Sequence, residues 1–509
     1  MNNQIKGGAI LSYIALFLKI AIAFVYTPFV LKSLGQAEYG LFALVNTTIS
    51  HFTILDFGFG NAIIRYTAKF NAQNDKIKEQ SLHGMFLILY LFIGIITYIL
   101  GLIITLNIDT IFAKSLAEIN IHTAKTLMFL ATLNMAISFP FSIFPSIIKA
   151  YEKFIFFQWT QVVRVILNPL LMVSVLMLGY RSIGMILVIT FLNVLFNLIY
   201  IWYCKQNLNI RIRFKGFNIH LLREIFSYSF YIFLAIIVDK LFWSSAQVIL
   251  GIVSNMSEVA IYAISSNFIN IFISLTGIIG SFYLPRFTQM IANQESDKTI
   301  SDEFIKVSRL QFMICCYIFG GFVLVGKNFT ILWVGEQYIN SFYIAAIVMA
   351  SLLMTISQNA GIAVLQAKNL HKFRALAQLS MAVLNVIIAV PLATKWGGIG
   401  FALATFIIHF FGIFIVMSLY YQKVAKLDVL GLWKDLGKFF PSLILLIIIF
   451  YLANLTIFKS LSLVSNVIVN GVAYTLMYFI LIYVFHMKQY EKAEIKKLFQ
   501  FFLKHISIC

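Results

Sequence analysis

Charged residues are scarce in this chain, and their scarcity excludes a soluble globular protein. Asp, Glu, Lys and Arg make up 11% of the 509 residues, whereas hydrophobic residues make up 61%. The mean hydropathy is +0.92, which is typical of proteins that cross a membrane many times. The composition therefore predicts a polytopic membrane protein.

Acidic residues are the scarcer charge, with 19 Asp and Glu against 38 Lys and Arg, so the net charge is +19. In a membrane protein such an excess marks the loops that stay in the cytoplasm. The sequence has no basic stripe interleaved with aromatics, of the kind that binds nucleic acid. We therefore expect no nucleic-acid partner.

Cysteines and long polar loops are also scarce. Cys204, Cys315, Cys316 and Cys509 show neither metal-ligand spacing nor a disulfide framework, and we expect no metal and no cofactor. No loop is long enough to hold a folded catalytic domain. The first apolar segment is too long for a signal peptide and has no small-residue cleavage site, which indicates a retained helix. Function should therefore reside within the membrane.

Apolar segments of about 20 residues, enough to cross a bilayer as a helix, recur along the chain. They predict an all-α protein with about 14 transmembrane helices. The predicted spans are 10–31, 41–63, 84–107, 124–148, 160–179, 182–203, 225–250, 259–284, 310–333, 341–366, 376–395, 398–421, 439–458 and 464–486.

Basic residues concentrate in alternate loops, on the side that the N-terminus would share. By the positive-inside rule this side is the cytoplasm. An even number of spans then returns the C-terminus to the same side. The charge pattern therefore predicts that both termini lie in the cytoplasm.

The opening segment of the chain recurs about 220 residues later. Glu38-Tyr39-Gly40 aligns with Glu258-Val259-Ala260, and Ser182-Ile183-Gly184 aligns with Gly398-Ile399-Gly400. The nearly constant offset predicts two pseudo-equivalent six-helix lobes. In transporters built this way, the substrate site usually lies between the repeats at mid-membrane.

The repeat divides the sequence into five predicted parts. They are an N-terminal lobe over 1–203, a basic cytoplasmic linker over 204–224, a C-terminal lobe over 225–421, two further helices within 422–486, and a cytoplasmic tail over 487–509. Apolar residues recur at helical spacing over 495–506, with lysines between them. This pattern favours an amphipathic helix on the anionic inner leaflet, and a solvated tail is the alternative.

The segment 34–70 resembles the polysaccharide-exporting branch of the multidrug/oligosaccharidyl-lipid/polysaccharide flippase superfamily, the Wzx-type flippases. The residues that carry the resemblance are Gly35, Glu38, Tyr39, Gly40, Asp56, Gly58, Gly60, Arg65 and Tyr66. The helix number, the two-lobed repeat and the two extra helices also agree with that family. The resemblance covers most of the chain and says little about the sugar.

The resemblance implies a transporter, not an enzyme. Such a protein flips an isoprenoid (undecaprenyl) pyrophosphate-linked oligosaccharide from the inner to the outer leaflet of the bacterial cytoplasmic (inner) membrane, for biosynthesis of O-antigen, capsule or exopolysaccharide. The implied partners are this lipid-linked oligosaccharide and membrane lipids, and other polysaccharide assembly proteins are a candidate class. Drug exporters of the superfamily often carry an acidic residue in the first helix. Here that helix carries Lys19, which favours an anionic cargo.

Ionisable residues inside membrane spans are candidate functional residues, because each is costly to bury in hydrocarbon. They are Lys19, Asp56, Arg164, Asp239, Lys240 and Lys327. Lys19, Asp239 and Lys240 lie near mid-membrane on helices that the repeat makes equivalent. We predict that the two lysines bind the pyrophosphate and that Lys19 pairs with Asp239 in the empty protein. The alternative is that these charges only tie the two helices together.

The other intramembrane candidates have competing interpretations. Trp243 lies one helical turn from Asp239 and Lys240, and either stacks on a sugar ring or packs in the core. Arg164 either lines a central cargo cavity between the two lobes or reaches the lipid headgroups of the inner leaflet. Asp56 is expected to order the end of its helix. His51 and His409 are either proton-coupling residues or packed, hydrogen-bonded ones.

Two rival functions remain open at this point. A cation-coupled multidrug antiporter of the same superfamily is disfavoured by Lys19. A membrane-embedded sugar polymerase generally needs sizeable polar loops, and the chain has neither these nor an Asp-x-Asp motif.

Overall fold

The computed structural model describes residues 2–117, 119–217, 219–458, 461–489, 491 and 492, and within them it contains helices and no strands. The predicted amphipathic helix over 495–506 lies outside the described residues.

The first helices are α1 Asn2–Leu34, α2 Gln36–Ser50, α3 Phe59–Ala72, α4 Lys76–Leu106, α5 Ile108–Ile111, α6 Ile121–Phe141, α7 Ile143–Ala150, α8 Phe154–Met177 and α9 Arg181–Gln206. Then come α10 Ile219–Trp243, α11 Ser245–Val253, α12 Met256–Phe282, α13 Leu284–Ala292, α14 Asp297–Val334, α15 Asn340–Ile356, α16 Asn359–Ala367 and α17 His371–Ile407. The π-helix Ile408–Val416 continues α17, and α18 Met417–Lys423, α19 Val429–Leu436, α20 Phe439–Thr456, α21 Leu463–Leu481 and the π-helix Ile482–His486 follow.

Twelve helices in the described residues are long and apolar enough to cross a membrane. One of them, Lys372–Lys423, covers two predicted spans, because the backbone leaves helical geometry at Trp396 and Gly397. The predicted span 41–63 is missing from the twelve because it is broken into short pieces. The twelve helices therefore correspond to the fourteen predicted spans when Lys372–Lys423 is counted as two spans and the broken segment 41–63 is added.

The break in the second predicted span corrects the expectation of one continuous helix over 41–63. The α-helix α2 ends at Ser50, a 3₁₀ segment runs over His51–Asp56, and Phe57 and Gly58 both have left-handed φ values, of 50° and 74°. Two successive left-handed residues cannot continue a right-handed helix. Hydropathy averages over such a break, because Asp56 is the only acidic residue among the mostly apolar residues 51–60.

The seventh predicted span, 225–250, is also discontinuous. Its first part, α10, ends at Trp243, and α11 begins at Ser245. The Ser245 hydroxyl donates to the Leu241 carbonyl oxygen, so a side chain satisfies a group near the end of α10. Discontinuous membrane helices are common at transporter binding sites.

The chain divides into two compact units. One comprises Met1–Ser266 with Ala375–Thr405, and the other comprises Asn267–Arg374 with Phe406–Cys509. The predicted linker 204–224 lies within the first unit, where residues 207–217 are non-helical. The lobe boundaries drawn from the repeat stay a prediction.

The repeated glutamates make equivalent contacts within the first unit. The Glu38 carboxylate accepts hydrogen bonds from the backbone N–H of Ser182 at 3.0 Å and from its hydroxyl at 2.5 Å, and pairs with Arg181 at 2.6 Å. The Glu258 carboxylate accepts from the backbone N–H of Gly398 at 2.7 Å. Each carboxylate thus caps the helix start that is equivalent in the repeat, where exposed N–H groups favour negative charge.

In the second unit, a buried arginine links α14 to the end of α19, to the end of the π-helix Ile482–His486 and to Glu491. Arg309 of α14 has a side chain only 3% exposed, and it contacts Glu491 through Nε at 3.1 Å and Nη2 at 3.3 Å. It also donates to the His486 carbonyl oxygen at 2.9 Å and pairs with Asp435 at 3.4 Å. The bidentate contact satisfies charges that would otherwise be costly to bury.

Candidate functional site

Lys240 forms the first contact of the candidate site, in the last turn of α10. Its side chain is half-buried, and Nζ donates to the Ser50 hydroxyl at 3.3 Å. Ser50 is the last residue of α2. The contact therefore joins the two broken helices close to the point where each one breaks, and a helix C-terminus favours a cation.

Three further polar side chains extend this contact. Thr47 donates through its hydroxyl to the Gln247 side-chain oxygen, and His51 donates from Nδ1 to the Thr47 carbonyl oxygen at 2.8 Å. Lys240 acts electrostatically on His51. We call Thr47, Ser50, His51, Lys240 and Gln247 the polar seam.

Asp239 and Trp243 flank Lys240 on α10. The Asp239 side chain is exposed, and the Lys240 charge acts on it electrostatically. Trp243 is half-buried, with its ring centroid 6.5 Å from that of Phe242. Trp243 also ends α10, so the helix break fixes its position.

Lys19 lies on α1, and its side chain is exposed. The α1 helix packs against α8, α2 and α9. Among the described residues no carboxylate is within ion-pair distance of Lys19, so the structure does not contain the predicted Lys19–Asp239 pair. The roles of Lys19 and Asp239 in cargo binding stay predictions.

Arg164 is half-buried on α8 and contacts the neighbouring helix α9. Its guanidinium carbon lies 5.7 Å from the centroid of the Phe196 ring, and Tyr200 is close enough to interact electrostatically. These contacts lie within the N-terminal part of the chain and do not include the polar seam. They give Arg164 a packing role in addition to either predicted one.

The motif residues at the break in the second span have structural contacts. Tyr90 donates its hydroxyl to Asp56 at 2.6 Å, and the backbone N–H groups of Gly58 and Gly60 also donate to Asp56. The Phe57 ring stacks on Phe233 of α10 with centroids 4.6 Å apart. Asp56 thus accepts hydrogen bonds at the start of α3, and its role in ordering the end of its helix stays a prediction.

The glycines of the motif allow close approach of backbone. A Cβ atom at Gly40 would collide with the Met256 carbonyl oxygen, and one at Gly58 would lie 2.5 Å from Cγ2 of Ile232. Tyr39 packs on the core, and Arg65 lies 4.5 Å from the centroid of the Tyr228 ring. These contacts bring the segment 36–66 against α10, α11 and the start of α12.

Sequence reasoning missed Thr47, Ser50 and Gln247, because uncharged polar residues in membrane helices are usually helix-packing groups. Of the two histidines, His51 belongs to the seam. His409 is buried and shares a hydrogen bond with Ser351 at 2.8 Å, which is typical of a packed, satisfied histidine. Within the described residues, no group of three or more potential metal ligands comes together.

The model of one protein family, described as "Polysaccharide biosynthesis protein", matches residues 5–291. That region is more than half of the chain and includes the polar seam and every residue of the Glu38 and Asp56 motifs. The chain belongs to this family. No curated protein matches the sequence.

Solved structures resemble the chain in fold. A structure described as lipid II flippase MurJ in an inward closed conformation matches with a TM-score of 0.68 and 16% identity, covering 93% of this chain and 99% of that one. An inward-facing multidrug resistance MATE family transporter of the MOP superfamily matches with a TM-score of 0.62 and 13% identity, covering 79% and 96%. A MATE complex with MaD3S matches with a TM-score of 0.54 and 14% identity, covering 82% and 97%.

Together these comparisons confirm the predicted fold class and family resemblance. The protein is an all-α, multi-pass membrane protein with the fold of flippases and multidrug transporters, and it belongs to a polysaccharide biosynthesis family.

Proposed function

We propose that the protein flips an undecaprenyl pyrophosphate-linked oligosaccharide from the inner to the outer leaflet of the bacterial cytoplasmic membrane. It works by alternating access, supplies surface polysaccharide biosynthesis and does not change its cargo covalently. Both termini lie in the cytoplasm. The proposal rests first on membership of the polysaccharide biosynthesis family and on the flippase-like fold.

The observation that carries the proposal is the position of Lys240, close to the points where the helices of α2 and α10 break. A pyrophosphate that leaves water needs compensating charge, because an unpaired buried charge is very costly. The Lys240 ammonium donates a hydrogen bond to the neutral Ser50 hydroxyl at 3.3 Å, and the Asp239 carboxylate beside it in the chain acts on it electrostatically. An arriving phosphate can replace the Ser50 hydroxyl at little cost, because the phosphate offers a stronger, charge-assisted hydrogen bond.

A multidrug antiporter is the alternative, since MATE transporters share the fold. A cationic drug would be repelled by Lys19 and Lys240, the charges that an anionic cargo requires. The two functions therefore predict opposite cargo charge, which a transport assay can measure directly.

The decisive experiment uses the purified full-length protein in liposomes with a fluorescent undecaprenyl pyrophosphate-linked oligosaccharide in one leaflet. We expect the label to become accessible in the other leaflet faster than in protein-free liposomes. Thin-layer chromatography of the recovered lipid should show the cargo unchanged. Free sugar or new glycosidic bonds would instead indicate an enzyme.

The same liposomes, loaded with a cationic dye, provide the second arm of the experiment. We expect no dye efflux with a proton or sodium gradient of either direction. Dye efflux without translocation of the lipid-linked oligosaccharide would contradict the proposal and support the antiporter.

A further inference from the structure

A cavity of about 420 Å³ lies in the first unit, where α3 ends and where α4 and α10 begin. Four basic side chains, Lys69, Lys78, Arg213 and His220, line it together with one carboxylate, that of Glu224. Both α4 and α10 are long and apolar enough to cross the membrane. The cavity is therefore at one end of two helices expected to cross the membrane, where lipid headgroups are expected.

The carboxylates near this cavity already have partners. Glu224 accepts a hydrogen bond from the Tyr66 hydroxyl at 2.9 Å. Lys78 pairs with Asp75 at 2.8 Å and holds the pKa of that carboxyl below its usual value. Among the described residues, no carboxylate lies within ion-pair distance of Lys69 or Arg213. Lys69 and Arg213 therefore face a single carboxylate in the cavity lining, that of Glu224, and the cavity keeps a net positive charge.

The non-helical linker forms one wall of the cavity, and its contacts with α4 hold it in place. The backbone N–H of Arg213 donates to the Gln80 carbonyl oxygen at 3.1 Å, and the Ser81 hydroxyl donates to the Lys215 carbonyl oxygen at 2.9 Å. A side chain at Gly84 would collide with the Arg213 carbonyl oxygen. The cavity is thus preformed, and a ligand need not order the loop when it binds.

Two other cavities lack this excess of positive charge. In a cavity of about 630 Å³ beside α13 and α14, Arg286 pairs with Glu303 at 3.0 Å. In a third cavity, beside the start of α9, Arg181 pairs with Glu38 at 2.6 Å. Their cations are compensated within the protein, so neither cavity favours an anion in the way the first one does.

We propose that the cavity at α3, α4 and α10 binds the headgroup of an anionic phospholipid. Lys69 and Arg213 contact the phosphate, and the apolar lining, which includes Leu82 and the exposed ring of Phe217, contacts the glycerol and the start of the acyl chains. Cations near a membrane surface attract anionic lipids, and a free anion would gain nothing from the apolar wall. This lipid binds independently of the cargo and stabilises the linker against α4.

The test measures thermal unfolding of the full-length protein in a neutral detergent during titration with lipid. We expect phosphatidylglycerol to raise the midpoint by several degrees and phosphatidylcholine to raise it much less. Inorganic phosphate at millimolar concentration should not reproduce the effect. A wild-type protein that does not distinguish the two lipids, or responds equally to phosphate, would overturn the proposal.

The matched variants each remove two positive charges. Lys69→Gln with Arg213→Gln should weaken the apparent affinity for phosphatidylglycerol by roughly tenfold or more. Lys298→Gln with Lys434→Gln, which changes exposed lysines of the second unit, should leave it unchanged. Equal losses in both variants would mean that only net charge matters, contrary to the proposal. Because the assay measures lipid binding and not transport, its result is separate from that of the proposed flippase activity.

Discussion

Lys240 and Lys19 differ in their surroundings, although the sequence assigns them the same role. Lys240 is half-buried with Ser50 as a partner, whereas Lys19 is exposed. We expect Lys240→Ala and Lys19→Ala each to abolish export and Lys19→Arg to retain part of it, because charge matters more than shape for a pyrophosphate. None of these substitutions should prevent insertion of the protein into the membrane, because removing a lysine that has no buried ion pair costs little stability.

The measurement is surface polysaccharide at matched protein levels in cells that lack the native gene. Lys298→Ala, which removes an exposed lysine of the second unit, is the control and should export normally. The exchange Lys19→Asp with Asp239→Lys should restore export if these charges only tie helices together. Normal export by the double variant Lys19→Ala with Lys240→Ala would remove both residues from the mechanism.

Glu38 is the second residue whose role depends on its contacts. We expect Glu38→Ala to destabilise the protein by roughly 1–3 kcal/mol, because it leaves the capped N–H of Ser182 without its acceptor. Glu38→Gln should cost less, since its amide oxygen can still accept this bond. Thermal unfolding in detergent would measure both, with the exposed Glu336→Ala as control. Equal midpoints for Glu38→Ala and Glu336→Ala would contradict the capping role.

At the scale of elements, the break between α2 and α3 requires Gly58 for two reasons. Its φ is 74°, and a Cβ atom there would lie 2.5 Å from Ile232. We expect Gly58→Ala to cost about 1–2 kcal/mol from backbone strain, with a further cost from the collision. Adding Ile232→Ala should remove the collision and leave the strain.

The control for Gly58 is Gly179, which has a φ of 85° and open space around its Cβ position. Gly179→Ala should show the strain alone. If Gly58→Ala unfolds at the same temperature as Gly179→Ala, the contact between the break and α10 does not contribute to stability.

The Arg309 contacts link His486 and Glu491 to α14 and α19, and they also predict a measurable coupling. We expect Arg309→Met to destabilise the protein by about 3–5 kcal/mol, because it leaves Glu491 buried without its cation. Combining it with Glu491→Leu should restore much of the loss. A double-mutant cycle on thermal or denaturant unfolding measures this coupling, and purely additive losses would contradict it.

At the scale of the whole molecule, the excess of basic residues in alternate loops predicts the orientation. Reporter tags before residue 2, within 205–217 and after residue 509 should all be cytoplasmic, because positively charged loops are retained there. Tags within 108–117 and 335–339 should be outside. A tag on the opposite side from these predictions would mean that one span is miscounted.

The sequence by itself determined the class of protein, the approximate number of spans, the repeat and the family resemblance. These properties follow from local composition, because about 20 apolar residues suffice to predict a membrane helix. The repeat was visible because Glu38 and Glu258 are each followed by a short run of small and apolar residues, and further matching segments keep a nearly constant offset. The structure added the common reason, since both carboxylates cap a helix start.

Only the tertiary structure decided where the helices break and which polar groups meet. The left-handed φ values of Phe57 and Gly58 leave no trace in hydropathy, and Ser50 lies 190 residues from Lys240. The partner of Arg309 is 182 residues away. Such contacts depend on the packing of helices, which joins residues that no local pattern relates, and for that reason the polar seam and the lipid cavity could be located only in the folded protein.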